Sequence, residues 1–240
     1  ESYVSVIDAD KMQEVKRITV ADGPGMIAFT NDGKFAYVCS SFTPELDVVE
    51  TQTYHIIKKI PVVSPFSPNI FTSPDGKWIA MTHKDVGKVT VINLAKMLVE
   101  KVINTGAITN HVTFSIVKNK LLMFVTVGGE NKVKIFDVAD NFKLTDSINV
   151  GALPHGIWPS PDGKVMFVGL EFADEAQAIN LQTMTILGTI KIGQSPQALV
   201  YAPNAFSGMK NISGLSALND TASTQVITLK SIHNSNDAKG

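Results

Sequence analysis

Apolar and polar residues alternate with a spacing of two along much of the chain, as in Val4-Ser5-Val6, Val89-Thr90-Val91 and Val133-Lys134-Ile135. That period belongs to a β-strand with one face buried, whereas an amphipathic helix would repeat about every 3.6 residues. Other stretches, such as Val165-Met166-Phe167-Val168, are apolar throughout and read as strands covered on both faces. The pattern predicts strands at 3–8 and 14–20, then four sets of four. These are 26–29, 35–38, 46–49 and 54–60; 67–72, 77–82, 88–93 and 98–104; 110–115, 121–127, 131–137 and 143–150; and 154–159, 165–170, 175–180 and 184–192. A further unit begins at 196–201 and loses its pattern over 205–223, with a last strand expected at 225–232.

The turns between the first two strands of each set carry the clearest local signal. Ser160-Pro161-Asp162-Gly163, Ser73-Pro74-Asp75-Gly76 and Thr30-Asn31-Asp32-Gly33 all suit tight turns, with glycine in the left-handed region. Gly33 and Gly76 are 43 residues apart, and Gly76 and Gly163 are 87 apart, two such steps. The missing copy falls at Lys118-Asn119-Lys120, where asparagine can replace glycine at a left-handed position. An eroded copy is Ala202-Pro203-Asn204-Ala205. A period in the low forties with four short strands per unit indicates an all-β β-propeller.

The expected fold is four whole blades plus two half blades in a single domain over 1–232, with 233–240 a disordered C-terminal end. The two halves either close a five-bladed ring, which would remove exposed sheet edges, or belong to a larger propeller, for example a seven-bladed one. The chain begins with Glu1, which reads as a processed chain or a fragment.

The repeat resembles the YVTN family of bacterial β-propeller proteins over about residues 2–204. The residues that carry the likeness are Val4-Ser5-Val6-Ile7-Asp8, Ile148-Asn149-Val150-Gly151-Ala152-Leu153-Pro154, and the run from Ser160-Pro161-Asp162-Gly163-Lys164 to Val168. The third unit departs from the pattern by lacking the Pro-Asp-Gly turn. The resemblance implies a propeller, often seven-bladed, in a periplasmic, secreted or cell-surface protein. It implies no catalytic residues.

Composition narrows the function further. The formal net charge is −1, which argues against a nucleic-acid partner or an anionic-membrane surface. No run reaches the length of a membrane-spanning helix, so no membrane insertion is expected. The single cysteine, Cys39, excludes an internal disulfide and reads as a small buried hydrophobe. Gly23-Pro24-Gly25 lacks the spacing of a phosphate loop, and Trp158 and Phe114 read as core.

In a propeller the loops after the second and fourth strands share one face, opposite the Asp-Gly turns. His111 and His155 sit in equivalent loops entering neighbouring blades on that face and should project into one mouth of the channel. They are the candidate metal ligands, for zinc or copper, although no cofactor is expected. His83, Asp22, Glu130, Asn131, Glu171, Asp174 and Glu175 make up the candidate ligand or partner face. His55 and His233 read as surface residues. Asn211 and Asn219 head formal glycosylation sequons, read as coincidental.

The leading expectation is a non-catalytic extracytoplasmic propeller that binds a protein or glycan partner or acts as a scaffold. One alternative is a metal-dependent enzyme, a copper oxidoreductase or lactonase-like hydrolase, centred on His111 and His155. Another is a structural subunit of a surface layer or filament.

Overall fold

A computed structural model describes residues 1–202. They form a two-stranded sheet, β1 (Tyr3–Asp8) and β2 (Gln13–Thr19), followed by four antiparallel four-stranded meanders. The first contains β3 (Pro24–Phe29), β4 (Phe35–Ser40), β5 (Glu45–Glu50) and β6 (His55–Pro61), and the second β7 (Ile70–Thr72), β8 (Trp78–His83), β9 (Lys88–Asn93) and β10 (Leu98–Asn104). The third contains β11 (Thr109–Val117), β12 (Lys120–Val127), β13 (Lys132–Asp137) and β14 (Lys143–Asn149), and the fourth β15 (Pro154–Pro159), β16 (Val165–Leu170), β17 (Glu175–Asn180) and β18 (Thr185–Lys191). First strands meet in chain order, β3 against β7, β7 against β11 and β11 against β15, so they line the axis of a β-propeller. Among the described residues there is no α-helix, and the ring is not closed. The expected strand at 225–232, the end at 233–240, the two sequons and His233 lie outside the described residues.

The turns explain why the repeat folds. In the fourth blade the Ser160 hydroxyl donates to Asp162 Oδ1 at 2.6 Å and accepts the Val165 N–H at 3.0 Å, while Gly163 has φ 65°. Ser73 and Thr30 repeat these bonds in the second and first blades. In the third blade Lys118 and Asn119 have φ 49° and 62°, as a two-residue primed turn requires. The expectation of a left-handed asparagine there holds.

A second turn recurs between third and fourth strands. Asp8, Asn93, Asp137 and Asn180 each accept backbone N–H groups from the residues that follow. Met12, Tyr54, Met97, Phe142 and Met184 then take φ between 49° and 60°. The β1–β2 hairpin carries this same turn, so it is the outer half of a blade, as expected.

In the first three blades the second strands are buried on both faces, and the apolar clusters join one blade to the next. In the fourth, Val165 and Phe167 are only half-buried, so the expected covering of both faces of Val165–Val168 is not met among the described residues. Cys39 lies in such a layer, 1% exposed, with burial pushing its thiol up to about 12. Phe114 is core, as expected; Trp158 is half-buried and meets Phe71 edge-on, with ring centroids 5.2 Å apart. Strand β7 is shorter than the predicted 67–72. Pro65 and Pro68 supply no N–H, and Asn69 turns its polar groups to Thr82 and, across the blade boundary, to Val112. Residues 196–201 form no strand, although Gln197 lies against the inner strand of the fourth blade, where a fifth first strand would run.

Candidate functional site at the channel mouth

His111 and His155 lie within β11 and β15, not in loops. Both strands carry a bulge at this point. Pairing breaks between Thr109 and Val112 and between Pro154 and Ile157. Val112 and Ile157 resume the two ladders, so His111 precedes that point by one residue and His155 by two. The hydrogen bonds agree: Thr82 Oγ1 donates to the Asn110 carbonyl at 2.7 Å, and Thr126 Oγ1 donates to the His155 carbonyl at 2.7 Å. His155 therefore occupies the position of Asn110 one blade earlier. The equivalence expected for the two histidines is off by one, because a bulge alters which way successive side chains point.

The offset nonetheless brings the rings together, with centroids 4.7 Å apart and planes at 42°. Thr126 joins the two strands, since its hydroxyl also accepts the His111 N–H at 2.9 Å. His155 Nδ1 is 2.6 Å from the Gln197 carbonyl, which makes Nδ1 the donor and leaves Nε2 with its lone pair. His111 is 9% exposed, and its ring makes no hydrogen bond among the described residues. Burial, reinforced by His155 and Lys84, pushes its pKa down to about 3. Burial also lowers the pKa of His155, opposed by the Gln197 bond and by Glu171. Both rings are neutral at pH 7.

Much of the remaining candidate set serves the architecture. His83 is completely buried at the end of β8, with Nδ1 3.0 Å from the Ser64 carbonyl and Nε2 2.7 Å from Thr90 Oγ1. It is not on the ligand face, because the second strand of a blade is sandwiched between neighbours. Asn131, left-handed at φ 53°, accepts the Leu153 N–H at 2.9 Å and so ties the third blade to the fourth. Glu130 accepts from Lys134, which also donates to the Thr105 carbonyl. Glu171 Oε1 accepts from Gln197, while its Oε2 is buried without a partner among the described residues. Asp174 accepts the Ser195 N–H, and Asp22 accepts from Ser2. Glu175 is the half-buried first residue of β17.

Three residues on this face escaped the sequence reading. Lys84 directly follows β8, the place Glu171 holds after β16, and it is half-buried. Among the described residues it makes no ion pair. Phe42 and Phe172 each stand two residues past the second strand of their blades, with backbone N–H groups bonded to Asp22 and Ala152 in matching fashion. Each is 74% exposed. Their spacing of three repeats was the available signal.

Among the described residues, no three or more His, Cys, Asp or Glu side chains gather as a metal cluster. Two neutral imidazoles supply half of a tetrahedral zinc set, with the ammonium of Lys84 opposing a divalent charge.

No protein-family model matches the chain. Hydrazine synthase subunit beta of Kuenenia stuttgartiensis is 26% identical over 194 residues, covering 78% of this chain and 44% of that protein. The chain thus spans less than half the length of this curated relative. Kuenenia stuttgartiensis hydrazine synthase superposes with TM-score 0.72 at 20% identity, covering 84% of this chain and 72% of that one. A functionally unknown protein from Desulfotomaculum acetoxidans gives 0.72 at 19%, covering 82% and 65%. The dihydro-heme d1 dehydrogenase NirN in complex with DHE gives 0.67 at 14%, covering 82% and 43%. At these identities the structural likeness establishes the fold and nothing of the chemistry. The described residues contain no helix long and apolar enough to cross a membrane.

Proposed function

We propose that this chain is a non-catalytic propeller module of the YVTN repeat kind, periplasmic or secreted, that docks a protein partner through the loop face around its channel. The observation that carries the reading is the pair Phe42 and Phe172, each 74% exposed at matching places of two blades. Leaving a phenylalanine in water forgoes about 1.5–3 kcal/mol of burial, and exposed aromatics on a polar surface mark interaction sites. The loop at Phe172 is held by the Asn131, Asp174 and Glu171 bonds, and the loop at Phe42 by the Ser40 hydroxyl, which accepts the Phe42 and Thr43 N–H groups, so the platform is ordered before a partner arrives. A relative named as a subunit adds support. The test is cross-linking and co-purification from the native host. A stoichiometric partner held by the wild type and lost in Phe42→Ser/Phe172→Ser is expected; equal recovery with both proteins overturns the reading.

The proximity of His111 and His155 favours a second reading, a metal-dependent enzyme with zinc or copper at the pair. Its check is elemental analysis: a stoichiometric metal lost in His155→Ala supports it, and a metal-free wild type after zinc or copper loading sinks it.

A further inference from the structure

We infer that Lys84, His111 and His155 form a site for a small anion, a carboxylate or an inorganic oxyanion, at the channel mouth. The inference shares the loop face with the partner reading, and rests on it only for location. Its first support is the His111 ring, more than nine-tenths buried and without a hydrogen bond among the described residues. A ring nitrogen that no protein group engages can take a hydrogen bond from, or give one to, an entering ligand. His155 is the second group, its ring 4.7 Å from His111 and its Nδ1 held by the Gln197 carbonyl, so that Nε2 is the free nitrogen.

Lys84 is placed by the strand geometry. Thr82 points its hydroxyl at the Asn110 carbonyl of the next blade, 2.7 Å away. Lys84 opens the turn two residues beyond Thr82, at the end of β8 that packs on β11, so it stands beside the stretch where His111 follows Asn110. The charge of Lys84 is felt at both rings, where it opposes their protonation. A divalent cation would meet that ammonium, whereas an anion would be attracted to it. Glu171, the other charge facing His155 among the described residues, has one oxygen engaged by Gln197 and favours an imidazolium there.

The chemistry is proton-coupled. With no anion bound, the rings are neutral and present lone pairs. An entering anion offsets the Lys84 charge and stabilises an imidazolium, whose N–H then donates to it. Binding takes up a proton and tightens as pH falls. No covalent step is involved.

The experiment is calorimetric titration of the full chain with sulfate, phosphate and acetate at pH 8 and 5.5, in two buffers of different ionisation enthalpy. Side-chain 15N spectra of the histidines are recorded in parallel. Saturable binding at least tenfold tighter at pH 5.5, with proton uptake and shifts at both rings, is expected. Sulfate and phosphate favoured over acetate would assign an oxyanion, and the reverse a carboxylate. Lys84→Gln should weaken binding at least tenfold with an unchanged melting temperature, and His111→Gln serves as the second variant. No saturable binding, or equal binding by Lys84→Gln, overturns the site. So does zinc binding at one equivalent that tightens in Lys84→Gln, which would assign a cation site instead. Failure here leaves the Phe42/Phe172 docking result untouched.

Discussion

On the turn face, Ser160, Asp162 and Gly163 settle their geometry among themselves, through bonds spanning two to five residues. At the channel mouth, His111 and His155 are positioned by Thr126 and Gln197, which lie 15 and 42 residues away from them. A turn of the first kind survives in any blade that keeps its residues. A site of the second kind depends on how three successive blades meet. It therefore differs between blades even though the backbone repeats. The same contrast separates Asn131, which braces a neighbouring blade, from Asp162, which braces its own hairpin.

The largest loss is expected for Gly163→Val, set against Gly33→Val. Both glycines have positive φ, 65° and 69°, so both replacements are strained. A Cβ at Gly163 would also strike the Ile116 carbonyl oxygen of the preceding blade, whereas at Gly33 nothing among the described residues lies within 4 Å. Gly163→Val should cost about 3–5 kcal/mol and Gly33→Val about 1–3 kcal/mol in urea unfolding. Equal losses would mean that the blade next door adds nothing to the local strain of the turn.

His83→Leu is expected to cost about 2–4 kcal/mol, since the Ser64 carbonyl and Thr90 hydroxyl lose their buried partner. It should also change the acid response. Burial lowers the folded pKa of His83 from 6.5 to about 4, so below pH 6.5 the unfolded chain binds a proton that the folded chain refuses. The wild type therefore loses stability as pH falls from 6.5 toward 4, and His111 acts in the same direction. Stability measured across that window should fall less steeply in His83→Leu. An unchanged slope would show that His83 is solvated.

Thr126→Val removes one hydroxyl that serves both histidine strands, and a loss of about 1–2 kcal/mol is expected by thermal unfolding. The side-chain 15N shifts of both rings should move with it. Ser160→Ala, the turn-face counterpart, should cost about 1 kcal/mol and leave those shifts alone. The smallest effect belongs to Lys164→Ala. Its ion pair with Asp162 is exposed, and a change within about 0.5 kcal/mol in the same assay is expected.

Period-two alternation, the Ser-Pro-Asp-Gly turns and the 43-residue step made the blades legible, because strand patterning and turn chemistry act over a few residues. The predicted strands 3–8, 88–93, 98–104, 154–159, 165–170 and 175–180 coincide with the observed ones. Asn119 was legible as a left-handed substitute for glycine. Met97 and Met184 were not. Their positive φ is imposed by Asn93 and Asn180 capping the turn before them, and methionine has no intrinsic preference for it.

At the mouth, placing His111 and His155 on one face was within reach of the repeat, and placing them one register step apart was not. Bulges are set by how the first strand meets the second and the neighbouring blade, and the residue pattern does not mark them. His83 shows the converse: its position after an apolar run resembled a loop, and only its pairing with Ser64 and Thr90 made it core. The strands, the Asp-Gly turns and the repeat were thus written in the residues, because their energies are local. Which histidines touch, that Lys84 stands near enough to oppose their protonation, and that Phe42 and Phe172 stay in water were settled only by the packing of each blade on the next.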